Sequence, residues 1–306
     1  MKKKLLAGIL ALALCSTNMP PQTIFAGEFT SGNMEEVSEE TSEVFTDNDQ
    51  ESAEETEEEL SVFTSESVPE FSNEANVMPA TVNGEQPIEI NLTTPIAPEY
   101  SKYYNSRYNC WIINSGGSYR FNGYGSQTSH PIYINAGFSN VVIYLNNVNI
   151  VTDSNSASAL HIESNNAYIY LENDNYLETR NETNEKHTLE IDPRSCLTTI
   201  NNSSNNNNGS LTVKSINSHG IYSYSPLIID GSSVTASSRS GIGIGGKSSN
   251  ITVNGGSVIA SSTHGTGIGG EKSNITVNGG SVTASSAHGT DIGGKNSGII
   301  INGGSV

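Results

Sequence analysis

Gly267-Ile268-Gly269-Gly270-Glu271-Lys272-Ser273-Asn274-Ile275-Thr276-Val277-Asn278-Gly279-Gly280-Ser281-Val282 reproduces the stretch Gly243–Val258 with two substitutions, and a further copy with more changes runs from Asp291 to Val306. The period is 24 residues, and a diverged copy precedes them at Pro226–Val234, with Asp230 where the later copies carry Asn254 and Asn278. Each copy holds three short strand-like pieces separated by glycine or polar corners: Asn250–Val253, Ser257–Ser261 and the Gly-Ile-Gly-Gly element. Alone, a copy buries almost nothing. Stacked, the copies place Ile251 over Ile275 over Ile299 and Val258 over Val282 over Val306, with backbone hydrogen bonds running between coils about 4.8 Å apart. The repeat therefore predicts an all-β fold, a right-handed parallel β-helix.

The corner residues agree. Asn254, Asn278 and Asn302 are expected to form an internal ladder of side-chain amides. Gly255 and Gly256 are expected to supply the positive φ of the turn. The small interior of Ile, Val and Ala fits a narrow three-sided tube. Leucine at fixed positions is lacking, which excludes a leucine-rich repeat, and no G-G-x-G-x-D rhythm marks a calcium-binding β-roll.

Upstream, Ile132–Ile134, Val141–Leu145, Ala167–Leu171 and Gly209–Val213 are further β-branched and aromatic runs, bounded by Asn and Gly and recurring at irregular intervals. The coils are assigned to 141–306, and 90–140 to an N-terminal aromatic cap with the first strands. Asn205–Asn208 reads as a surface loop. Val306 falls within a second strand with no polar helix, charged edge or proline after it. The expectation is therefore that the architecture is truncated there, with further coils or end-to-end self-association completing it.

The rest of the chain is of another kind. Lys2-Lys3-Lys4, the apolar run Leu5–Leu14 and a polar stretch to Ala26 read as a cleaved signal peptide over 1–26. Cys15 offers the alternative of lipid attachment, which Leu12-Ala13-Leu14 only partly matches. Residues 27–89 read as a disordered acidic linker. Gly27–Glu99 holds twenty acidic residues and no Lys or Arg, whereas Tyr100–Val306 holds twelve acidic and eleven basic ones, so the net charge of −18 belongs to one segment. That distribution argues against nucleic acid as a partner and against electrostatic docking on an anionic membrane. No segment of the mature chain is apolar enough for membrane insertion, and the expected location is extracellular, on the cell surface. Cys110 and Cys196 can pair in an exported protein; two buried thiols is the reading preferred.

Ile251–Val258 with Gly267–Gly270 resembles the repeat of large clostridial surface proteins. The order Val141–Ile150, Ala159–Ile162, Ala167–Leu171 resembles the carbohydrate-binding parallel β-helix domain of such proteins, over roughly Tyr119–Val306. The resemblance implies binding of acidic plant polysaccharide, with calcium as a possible cofactor and none otherwise expected. No ligand residue carries over position by position.

Candidate chemistry is sparse. Tyr100, Tyr103, Tyr104, Tyr108, Trp111, Tyr119, Phe121 and Tyr124 form the richest aromatic stretch. They either cap the first coil or present a sugar platform, and Tyr103, Tyr104, Trp111, Tyr119 and Tyr124 are the candidate carbohydrate-binding residues. The charged cluster Glu172, Asp174, Glu178, Arg180, Glu182, Glu185, Lys186, His187, Glu190, Asp192 and Arg194 reads as mostly solvated loop, with calcium or sugar binding the preferred functional reading. His264 and His288 lie one period apart and should stack as a corner ladder rather than hold a metal. Ser195-Cys196 has no nucleophile-elbow glycines. No catalytic residue is assigned, and no metal ligand. The expected function is a non-catalytic polysaccharide-binding or adhesion module; a ligand-free structural stalk and a β-helix lyase or hydrolase are the alternatives.

Overall fold

A computed structural model describes residues 85–306, apart from 94, 154–156, 181–185, 193–194 and 203–208. The signal peptide, the linker up to 84, the Asn205–Asn208 loop, and Glu182, Glu185 and Arg194 of the charged cluster lie outside the described residues. The described chain is a parallel β-helix of twenty-five strands and one 3-10 turn, Pro98–Tyr103. No helix among the described residues is long and apolar enough to cross a membrane.

Strands visit three sheets in rotation, of nine, seven and nine strands, here called faces I, II and III. One coil runs through Val141–Asn146 on face I, Asn149–Thr152 on face II and Leu160–Glu163 on face III. The next coil follows with Asn166–Glu172, Asp174–Thr179 and Leu189–Ile191, each strand parallel to its counterpart below. Alternation along each strand sends every second side chain inward. On face I this builds the column Tyr119, Ile143, Ile169, Ile200, Ile229, Val253 and Val277. These residues are buried, and burial of each aliphatic side chain contributes about 1.5–3 kcal/mol. Ile251, Ile275 and Ile299 stack in register as the repeat requires, as do Val258 and Val282.

The first edges are handled differently. Ile88–Asn91 pairs with Gly117–Asn122, so Ile88 and Glu89 belong to face I rather than to the linker. Tyr104–Asn105 folds back antiparallel on Cys110–Ile113 and covers the first edge of face III.

Two corner expectations need correction. The asparagine ladder exists, Asn278 Nδ2 donating to Asn254 Oδ1 at 2.9 Å and Asn302 Nδ2 to Asn278 Oδ1 at 2.8 Å, but it runs along the exposed outside. The internal ladder is serine: Ser249 Oγ donates to the Ser225 carbonyl at 3.2 Å, and Ser273 Oγ to that of Ser249. Of each glycine pair only the second is left-handed, φ being 84° at Gly256 and 80° at Gly280.

Candidate carbohydrate platform

On face III, Ile132 and Ile134, Leu160 and Ile162, Leu189 and Ile191, and Ile221 and Ser223 point inward and are buried. Strand alternation turns the residues between and after them outward. The ladder register sets Tyr133, His161, Glu190 and Tyr222 in one column. Asn135 and Glu163 are partners in the adjacent column, which Asp192 and Tyr224 continue one residue beyond the paired Ile191 and Ser223. Four successive coils thus carry Tyr and Asn, then His and Glu, then Glu and Asp, then Tyr and Tyr. Three coil spacings make the array about 14 Å long.

The rings are mutually supported. Tyr133 and His161 lie 5.7 Å apart at 40°. Tyr222 packs on His187 at 4.2 Å and on His219 at 4.5 Å, and meets Tyr224 edge-on at 4.8 Å. Beneath Tyr222, His187 Nδ1 and Ser218 Oγ are hydrogen-bonded at 2.7 Å, and His219 Nδ1 accepts the Ile242 N–H at 2.7 Å. Burial depresses His187 to about 4, and burial with the neighbouring His187 depresses His219 to about 3, so both imidazoles are neutral supports. Burial pushes the Tyr133 hydroxyl up to about 12 and keeps it a hydrogen-bond donor.

Between the rings sit three carboxylates. Glu190 accepts from Ser158 Oγ at 2.6 Å and lies 3.6 Å from Lys186 Nζ. Burial alone would raise its carboxyl, but His161, Ser158 and Lys186 outweigh burial and hold it near 2. His161 Nδ1 is 3.8 Å from Glu190 Oε2, and its Nε2 is 3.9 Å from Asp192 Oδ2. His161, Glu163 and Asp192 bring one ligand atom each within 4.8 Å of one another, the only such His/Cys/Asp/Glu group among the described residues. An imidazole nitrogen among two carboxylates does not fit calcium, which takes six to eight oxygens.

The sequence-predicted aromatic residues divide. Trp111 and Tyr119 are inside the tube at 0% and 2% exposure, closed to any sugar. They were expected as possible platforms because sequence gives no phase for the first coil. Tyr103 and Tyr104 are half-buried and lie edge-on against Tyr119 and Trp111, at 6.2 Å and 5.1 Å. Tyr124 alone of the five is well exposed, its hydroxyl donating to Asn91 Oδ1 at 3.0 Å. The charged cluster is not one loop: Glu178 lies in a face II strand with Arg180 just beyond it, the two 2.7 Å apart, and Glu190 lies in a face III strand. Cys110 is buried and Cys196 exposed, and both are free thiols. His264 and His288 stack at 5.2 Å and 14°.

Face I carries a second outward hydrophobic group, Val142, Tyr144, Tyr168 and Tyr170, in which Tyr144 and Tyr170 stack at 5.1 Å. Arg120 lies over Tyr144 and is paired with Glu89 and Glu172. Tyr144 and Tyr170 are nonetheless buried, whereas in the face III array only Glu190 is buried, Tyr133, His161, Glu163, Asp192 and Tyr222 are partly exposed, and Asn135 and Tyr224 are exposed.

Sequence reasoning missed Tyr133, His161, Glu163, Tyr222 and Tyr224. The signal was there, a polar or aromatic residue between two inward positions on four successive strands. Unequal corner insertions hid the phase that aligns them.

A family model described as carbohydrate-binding domain-containing protein matches residues 108–306. No curated protein and no solved structure matches the chain.

Proposed function

The chain belongs to the family of carbohydrate-binding domain-containing proteins, and from that premise we propose that it is a non-catalytic module holding extracellular polysaccharide at a bacterial cell surface, with the glycan lying along face III. The observation that carries this reading is the partly exposed array from Tyr133 to Tyr224. Its rings offer faces for pyranose stacking, and its carboxylates and hydroxyls offer partners for sugar hydroxyls. The coil spacing is close to the advance of one pyranose in an extended chain, so consecutive sugars meet consecutive coils. The clostridial surface-protein resemblance supports the same location.

Glu190, held near 2, stays ionised and is not the raised-pKa general acid that a glycosidase needs, which speaks against that one role for it. Three carboxylates against one lysine disfavour direct docking of an acidic glycan and favour a neutral one. The Ser- and Thr-covered coils after Ile244 then serve as a spacer.

A second location has its own support. Lys102, Tyr103, Tyr104 and Arg107 line an open depression beside the first coil, where two cations suit an acidic sugar. Affinity electrophoresis of the full chain against neutral and acidic polysaccharides tests both. Tyr222→Ala and Tyr133→Ala are each expected to weaken binding about tenfold, about 1.4 kcal/mol. Loss on Lys102→Gln or Arg107→Gln, with both tyrosine variants unaffected, moves the site to the end depression. Binding indifferent to all four removes both locations.

A further inference from the structure

The geometry points to a divalent transition-metal site on face III, in which His161 Nε2, Glu163 and Asp192 bind an ion of the zinc class. It goes beyond glycan binding and does not depend on it.

The first argument is placement. His161 and Glu163 are two residues apart on one strand and point the same way. Asp192 comes from the coil above, in register with Glu163. The three ligand atoms already lie within 4.8 Å of one another, and Nε2 is 3.9 Å from Asp192 Oδ2. Around a tetrahedral ion with bonds of about 2.1 Å, donors stand about 3.4 Å apart. The donors therefore need to approach by about 1.4 Å at most to reach that spacing.

The second argument is independent of the ligand cluster. The other ring nitrogen of His161 faces Glu190, 3.8 Å from Oε2. Glu190 is itself fixed, its side chain one-tenth exposed and accepting from Ser158 at 2.6 Å. A carboxylate behind the imidazole, at ionic distance, favours the proton on Nδ1 and so leaves Nε2 as a donor to metal, and a small closure would bring it to the hydrogen bond that metal-binding histidines make. Glu190 is therefore a positioning residue, and the ligand side of the ring faces Glu163 and Asp192.

The third argument is selectivity. One nitrogen and two carboxylate oxygens suit borderline ions such as Zn²⁺, Co²⁺ or Ni²⁺, and leave a solvent-facing position for an exogenous ligand. Calcium wants more oxygens than this corner supplies. An ion here would also offset the negative charge of the platform, giving an acidic sugar a bridge that the bare carboxylates deny it.

The test is metal binding by the full chain with no glycan present. Calorimetric titration with Zn²⁺ is expected to show one saturable equivalent above the weak sites of the acidic segment. Co²⁺ in its place should give the intense visible bands of a low-coordinate ion. His161→Gln and Asp192→Asn should each abolish that equivalent and the bands, with circular dichroism unchanged. Glu190→Gln should weaken it about 10- to 100-fold without abolishing it. His288→Gln, at the stacked histidine pair, should leave it intact. The inference is overturned if wild type and His161→Gln titrate alike, if the signal disappears with His288→Gln, or if the site takes Ca²⁺ that excess Zn²⁺ does not displace. Because no sugar enters the experiment, its failure leaves the glycan reading standing.

Discussion

Gly255 and Gly256 are adjacent and identical, and replacing each by alanine is expected to give opposite results. At Gly256 φ is 84°. An alanine there adopts the left-handed conformation at about 1–2 kcal/mol. Its Cβ would also stand 2.7 Å from Ser232 N and closer still to the Ser232 carbonyl oxygen, in the coil below. Backbone cannot swing aside as a side chain does, so the coils must separate locally, an overpacking cost of about 1–3 kcal/mol. Together these predict a loss of about 2–5 kcal/mol. At Gly255 φ is not in the left-handed region, and a Cβ meets Gly231 N at an ordinary 3.5 Å. Alanine there reduces the freedom of the unfolded chain and should be neutral or stabilising by about 0.4–1 kcal/mol. Urea unfolding followed by circular dichroism reads the difference, and hydrogen exchange should place the Gly256→Ala opening at the coils carrying Ser232 and Gly256. A separation near 3 kcal/mol is about a hundredfold in the unfolding constant. Equal midpoints for the two variants would refute the claim that the turn has one left-handed position and one close approach.

Asn278→Ala removes the two exposed ladder bonds to Asn254 and Asn302 and should cost about 1–2 kcal/mol while glycan binding holds; lost binding at unchanged stability would make the ladder a ligand site. His187 and His219 have folded pKa values near 4 and 3, below the unfolded value of about 6.5. Their stabilisation is therefore full above pH 6.5 and lost as pH falls toward those values. The urea midpoint should decline between pH 7 and 5, before Glu190 protonates, and a His187→Asn, His219→Asn double variant should flatten that decline. Cys196, exposed, should react with a maleimide in the native state, whereas Cys110, buried and with its thiol pushed up by burial, should react only on unfolding. Peptide mapping that finds both labelled at the same rate would contradict the assigned burial.

How far the sequence reached follows from where the repeat is regular. From Gly243 onward every coil has the same length, so one residue fixes the phase of all. The inward columns of Ile251 and Val258, the stacking of His264 on His288 and the three-sided parallel ladder could all be read directly. Local composition also identified Gly256, because a left-handed turn needs glycine, although it could not separate Gly256 from Gly255. That distinction rests on which of the two passes under the Ser232 carbonyl, a contact with the coil below that no local pattern contains. The same limit placed the asparagine ladder inside, because no local pattern tells whether a corner side chain turns inward or outward.

Upstream, insertions of unequal length separate the strands, and the phase is lost. Sequence could gather Glu190, Asp192, Lys186 and His187 as one charged segment, and could gather the aromatics near Tyr104. It could not assign His161 a place beside Glu190, because those residues are brought together only by the coil closing. Nor could it tell that Trp111 and Tyr119 turn inward while Tyr133 and Tyr222 turn outward, since one residue of register reverses every side chain on a strand. The fold was therefore decided by repetition, which is a property of the chain. The platform and its histidine–carboxylate corner were decided by register between coils, which is a property of the folded ladder.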